Sequence, residues 1–149
     1  PVGTCALAAP VYGRYSPSTG DSILTLLSGE AASAASNYGY TTDRGTVFRA
    51  SSAAAAGLVP VYRLSSPSTG AHLWTANAAE RDSAKAKYGF TNDEGVGFYA
   101  SPTQTPCTVP VFRLLTAAHR HYYTTSDAER QALVAYGSID EGAVFYAAP

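Results

Sequence analysis

The sequence predicts a β-rich α+β fold: three β-β-α-β repeats in a pseudo-threefold ring, three-bladed and propeller-like, with a β-trefoil-like arrangement as the alternative. Three observations predict it. "PVYGRYSPSTG" at Pro10 recurs as "PVYRLSSPSTG" at Pro60 and "PVFRLLTAAH" at Pro110, an offset of fifty residues each time. "YGYTTDRGTVFRA" (Tyr38–Ala50) returns as "YGFTNDEGVGFYA" (Tyr88–Ala100) and "YGSIDEGAVFYA" (Tyr136–Ala147). Between these, "HLWTANAAERDSAKAKYG" (His72–Gly89) and "HYYTTSDAERQALVAYG" (His121–Gly137) are variants of one segment, and "SILTLLSGEAASAASNYG" (Ser22–Gly39) is a divergent third. Such a period marks stacked supersecondary units, none of which buries a core alone. The repeats occupy approximately residues 10–50, 60–100 and 110–147 of a single domain spanning 1–149. Trefoil units are usually four-stranded and lack a regular helix, so the ring fits this grammar better.

Each element follows from local chemistry. "VYRL" is an apolar β-prone run just after a proline, which is tolerated where a strand begins. "SPSTG" supplies a fixed and a permissive φ for a turn, and "HLWT" returns as the second strand of a hairpin. Asn77 to Glu80 and Ser126 to Glu129 read as capping boxes that open a short helix. That reading gives Glu80 and Glu129 a structural task. Glu30 stands at the same place, but Leu27 replaces the cap, which points to a start at Ser28, one residue later. Gly89 and Gly137 end the helices in the left-handed region. "GVGFYA" and "GAVFYA" are third strands, in which Phe48, Phe98 and Phe145 do not vary and read as core. "SSAAAAGLV" and "SPTQTPCTV" link the repeats.

Composition narrows the function. The chain of 149 residues is 46% hydrophobic and 14% charged with a net charge of −1, a globular balance. Lys85 and Lys87 are its only lysines, so no basic stripe exists for nucleic acid. The run from Ala53 to Val59 is too short to insert in a membrane. A start at Pro1, the absence of Met and the scarcity of Lys read as a processed, secreted, extracellular chain. Cys5 and Cys107, one before each of two equivalent strand starts, are expected to form a disulfide that stabilises by about 4–5 kcal/mol on a chain-entropy estimate. Two buried thiols are the alternative.

The candidate site comes from what the divergent copy lacks. In the second strand, Ile23, Leu73 and Tyr122 share a face with Thr25, Thr75 and Thr124 and read as core. The opposite face carries Ser22 and Leu24 in unit one, His72 and Trp74 in unit two, and His121 and Tyr123 in unit three. Unit one also has Arg44 for Glu94 and Glu141, and Arg49 for Tyr99 and Tyr146. Four features depart together, so His72, Trp74, Glu94 and Tyr99, and likewise His121, Tyr123, Glu141 and Tyr146, are expected to form one ligand-binding cluster per unit. Imidazole and carboxylate supply polar partners, and the accessible Trp or Tyr supplies a flat plate suited to a sugar. The competing reading is that these residues pack one unit on the next. No catalytic residues, metal site or cofactor are expected. Asp93-Glu94 and Asp140-Glu141 are sequence neighbours and point apart, Gly-x-Ser-x-Gly is absent, and His119 and His121 lack a third metal ligand.

"PVYRL…SPSTG.HLWTANAAERD…YGF…DEGVGFYA" resembles secreted repeat modules of unassigned function, whose pattern runs Pro-Val-Tyr-Arg-Leu-Tyr-Asn-Pro-x-Thr-Gly-x-His-Phe-Tyr-Thr, Ala-Ala-Glu-Arg and Tyr-Glu-Gly-x-x-Phe-Tyr. Such modules occur in bacterial and fungal secreted proteins, often beside cell-wall or polysaccharide hydrolases. The resemblance implies secretion and a glycan-related context. The expectation is a carbohydrate-binding protein, a lectin or glycan-binding module, with repeated shallow sites for glycans or cell-surface polysaccharide. A structural or protein-interaction module is the alternative.

Overall fold

A computed structural model describes residues 6–149. Cys5 lies outside the described residues, and the Cys5–Cys107 pairing with it. Three antiparallel sheets of three strands each alternate with three helices. Unit one comprises β1 (Ala9–Tyr15), β2 (Ser22–Thr25), α1 (Ser28–Tyr38) and β3 (Thr42–Ala50). Unit two comprises β4 (Val59–Ser65), β5 (His72–Thr75), α2 (Ala78–Lys87) and β6 (Asn92–Ala100). Unit three comprises β7 (Val109–Leu115), β8 (His121–Thr124), α3 (Asp127–Ala135) and β9 (Ile139–Ala147). In every unit the first strand is central, with the hairpin partner on one side and the long third strand on the other.

The third strands join the units. Ser51 exchanges two backbone hydrogen bonds of 2.8 and 2.9 Å with Tyr99, and Ser101 does the same with Tyr146 at 2.9 Å. Arg49 and Ala148 close the series at 2.8 and 3.0 Å, so the last unit returns to the first. Beneath these bridges Phe48, Phe98 and Phe145 meet pairwise at 5.6–5.7 Å between ring centroids, each pair edge to face. The constant Phe is therefore the point where all three sheets share one core.

The helices start where the sequence places them in units two and three. Asn77 Oδ1 accepts from the amides of Ala79 and Glu80, and Ser126 Oγ accepts from that of Glu129. The cap is thus made by the Asn and Ser side chains, while the two glutamates turn their carboxylates elsewhere. In unit one the helix does not slip by a residue. Ser28 opens α1 at the position equivalent to Ala78, with Leu27 in the cap position and no side-chain cap bond.

One expectation is overturned. Trp74 and Tyr123 are not an accessible plate: both are 0% exposed. They lie in the shared core with Leu24, Phe48, Phe98 and Phe145. Leu73, on the other face of β5, is buried too, in a separate cluster with Leu64, Ala71, Ala84 and Phe90 under α2. The second strand is covered on both sides, so alternation does not single out a solvent face. Volume is balanced locally. Opposite the large Trp74 indole stands Gly97, where a Cβ would lie 3.4 Å from Nε1, while units one and three pair Leu24 and Tyr123 with Val47 and Val144 at the corresponding positions.

Candidate functional site

Two cavities open at equivalent junctions. One, about 610 Å³, lies between units one and two and is lined by Glu30, Tyr38, Tyr40, Arg63, His72 and Glu94 among others. The second, about 530 Å³, lies between units two and three and is lined by Glu80, Tyr88, Phe90, Arg113, His121 and Glu141 among others. Position by position these are the same residues moved on by one repeat, apart from Tyr40 against Phe90. The helix of one unit supplies the first glutamate, its C-terminal end the tyrosine, and the sheet of the next supplies arginine, histidine and the second glutamate.

An arginine holds each junction. Arg113 donates to both carboxylate oxygens of Glu80 at 2.9 and 2.6 Å, and its Nε donates to Glu141 at 2.6 Å. Arg63 repeats this with Glu30 at 2.8 and 2.7 Å, and its Nε stands 3.1 Å from Glu94. Such fork-to-carboxylate pairs are charge-assisted and directional. Burial by itself pushes the Glu30 and Glu80 carboxyls up, but the arginine hydrogen bonds and charge outweigh it and hold both below the usual range. His121 Nε2 sits 3.9 Å from Glu141, and His72 Nε2 sits 3.8 Å from Glu94. Burial, then the charge of Arg113, keeps His121 below the ordinary imidazole range. Tyr38 and Tyr88, 73% and 71% exposed, stand beside these groups.

The third junction, between units three and one, answers the question raised by the divergent copy. Gly13 occupies the arginine position, and Arg44 occupies the second-glutamate position. Arg44 supplies the missing guanidinium from the other strand. Its Nη2 lies 3.7 Å from Glu129 and donates at 2.9 Å to the carbonyl of Tyr123, as Arg113 donates at 3.3 Å to the carbonyl of Trp74. The swap needs Gly13, because a Cβ there would come within 2.4 Å of Val47 Cγ2 and 3.3 Å of Arg44 Cβ. A guanidinium is therefore kept at all three junctions, forked onto carboxylates at two and in a single 3.7 Å ion pair at the third, and what unit one gives up is the histidine and the second carboxylate. Arg44 lies over the Tyr122 ring at 4.2 Å, and Tyr122 meets Tyr15 edge to face, which leaves that junction a smaller cavity of about 230 Å³.

Of the eight residues expected from sequence, His72 and Glu94 come together in one cavity and His121 and Glu141 in the other. Trp74 and Tyr123 lie beneath them in the core. Tyr99 and Tyr146 stand at the backbone bridges between units, and among the described residues neither lines these two cavities. Sequence reasoning missed Arg63, Arg113, Glu30, Glu80, Tyr38 and Tyr88. The signal was present: Gly13 and Arg44 depart from the repeat together and in opposite senses of charge. No group of three or more potential metal ligands is found among the described residues.

The extent of the repeat set decides the family. A model described as a domain of unknown function, DUF5648, matches residues 10–148, from the first strand of unit one to the bridge that closes unit three. The chain belongs to the DUF5648 family. The DUF5648 match covers all three units, so the family's domain is the whole three-unit assembly rather than one repeat. No curated protein and no solved structure matches the chain. No helix among the described residues of this DUF5648 domain is long and apolar enough to cross a membrane.

Proposed function

We propose that this DUF5648 domain is a secreted glycan-binding module, a pseudo-threefold, three-bladed ring whose two open junctions are the sites. The observation that carries the reading is the repeated pairing of an exposed tyrosine, Tyr38 or Tyr88, with a cavity lined by histidine and two carboxylates. A tyrosine ring offers the apolar face of a sugar a plate, and the carboxylates and imidazole meet its hydroxyls. The plate is Tyr38 and Tyr88, in place of Trp74 and Tyr123. Two shallow sites on one chain favour weak single contacts and gain from a repeating polysaccharide through multivalency. Few lysines, two cysteines and the resemblance to modules carried beside cell-wall hydrolases support an extracellular setting.

Binding is favoured over hydrolysis. Glu80 and Glu141 flank one guanidinium, a juxtaposition that their sequence positions do not reveal, yet a glycosidase needs one carboxyl kept protonated near neutrality. Arg113 and Arg63 do the reverse to Glu80 and Glu30. The inter-unit arginine–carboxylate clamps and the buried Trp74 and Tyr123 favour the second reading, a structural or protein-interaction module. A glycan array separates the two. The parent is expected to bind neutral glycans and the Tyr38→Ala/Tyr88→Ala variant to lose them with an unchanged melt. A parent that binds no glycan on the array supports the structural reading instead.

A further inference from the structure

The two cavities share a clamp but differ in their floors. In the cavity between units one and two, Asp21 is buried and accepts from the Tyr40 hydroxyl at 2.6 Å and from the His72 amide at 3.1 Å. Its Oδ2 also lies 2.6 Å from His72 Nδ1. A carboxylate only accepts, so His72 Nδ1 carries a proton toward Asp21, and its Nε2 faces Glu94. The three residues form a fixed polar wall. Asp21 touches no ligand itself and acts by orienting His72 and Tyr40.

In the cavity between units two and three, Ala71 stands for Asp21 and Phe90 for Tyr40. Ala71, Phe90, Leu73 and Ala84 form a buried apolar cluster, and the last three line the cavity. A further difference comes from the turn of unit three. His119 lines this cavity at φ 59°, where the equivalent turns of units one and two use Gly20 and Gly70 at φ 76°. A side chain held in the left-handed region costs about 1–2 kcal/mol. Here it adds an imidazole to the wall, whereas the unit one–unit two cavity receives Arg120 from the same turn, its guanidinium held by the Thr19 and Thr69 carbonyls. Strain of this kind gathers where a side chain has a task. The apolar floor accepts a methyl group, the glutamates accept from an amide N–H, and His119 donates to an amide oxygen.

We infer that the two junctions select different neutral sugars: the unit two–unit three cavity takes an N-acetylated hexosamine, and the unit one–unit two cavity a plain hydroxylated hexose. The inference rests on the glycan-binding reading. Acidic sugars fit neither: Arg63 and Arg113 are each committed to two carboxylates, and in the unit one–unit two cavity Arg120 is held by the Thr19 and Thr69 carbonyls while Glu30, Glu94 and the underlying Asp21 outnumber the two guanidiniums.

Glucose and N-acetylglucosamine differ only at C2 and serve as the probes, read by NMR chemical-shift titration of the intact chain. Burying one methyl and making one amide hydrogen bond should favour N-acetylglucosamine at the unit two–unit three cavity by about tenfold. Tyr88→Ala is expected to weaken N-acetylglucosamine binding more than glucose binding, and Tyr38→Ala to do the opposite, each by a margin of about tenfold. Both tyrosines are exposed, so the variants keep the fold. In the converted cavity, Ala71→Asp/Phe90→Tyr, the preference should move toward glucose. If both sugars bind both cavities alike, or each tyrosine variant weakens both sugars equally, the inference is overturned while glycan binding stands. If neither these monosaccharides nor any arrayed glycan binds, both readings fall.

Discussion

Tyr123→Phe removes one oxygen atom from the centre of the molecule, and its effect follows from two hydrogen bonds. Tyr123 is 0% exposed, and its hydroxyl donates to the Trp74 carbonyl at 2.8 Å and accepts from the Trp74 amide at 2.7 Å. β5 is an edge strand, so Trp74 has no further strand to pair with on that side. The hydroxyl of unit three thus finishes the sheet of unit two. In the variant the ring keeps its contacts with Trp74 and Phe145, and Arg113 still reaches the Trp74 carbonyl at 3.3 Å. The Trp74 amide is left buried without an acceptor, which costs about 1–3 kcal/mol. At this chain length that lowers Tm by roughly 2–12 °C. Trp74, the only tryptophan, is itself the probe, so urea unfolding followed by its fluorescence gives the free energy and a thermal melt gives Tm. An unchanged or higher stability would refute the placement of this amide in the dry centre of the ring.

Four further outcomes are expected. Gly13→Ala should destabilise by about 1–3 kcal/mol through the clash with Val47 and Arg44, and Val47→Ala should restore part of that loss in the double variant's melt. Acidification should lower stability in two stages. His121 has its folded value depressed, so its contribution is present above the unfolded value near 6.5 and is lost as pH falls below it. Glu30 and Glu80, also depressed, lose theirs below about 4.5, and His121→Gln should flatten only the first stage of a pH series of melts. Trp74→Ala should cost about 3–5 kcal/mol as a core truncation, whereas Tyr88→Ala should stay within about 0.5 kcal/mol of the parent in the same melt. Unreduced protein should resist alkylation at Cys5 and Cys107 in mass spectrometry, and two modified thiols would remove the expected disulfide.

The element order was legible because the units state it in turn residues, in the caps of units two and three and in a constant Phe, and three copies let one reading check another. The His and second Glu of each cavity were legible for the same reason, as losses shared by unit one. The aromatic plate was misplaced because β5 and β8 are four residues long and covered on both faces, so the alternation of Leu73 with Trp74 and of Tyr122 with Tyr123 carries no exposed side. A capping box accounts for a glutamate at position 80 and hides its second task. The box is closed only from the Asn77 side, and the carboxylate crosses to Arg113 in the next unit. A contact between residues 33 positions apart leaves no local pattern. Arg44 in place of Glu94 and Glu141 looks alone like a reversal of charge, but with Gly13 it is a transfer of the same guanidinium from one strand to its neighbour.

Glycan binding at the junctions is tested most directly by a crystal structure of the domain with an oligosaccharide chosen from the array. The sugar is expected in the cavities beside Tyr38 and Tyr88, with a ring face on the tyrosine and hydroxyls on His72 and Glu94 or on His121 and Glu141. Sugar bound away from both cavities, in the smaller cavity of about 230 Å³ beside Arg44, Tyr122 and Tyr15 or on the outer surface, would contradict it.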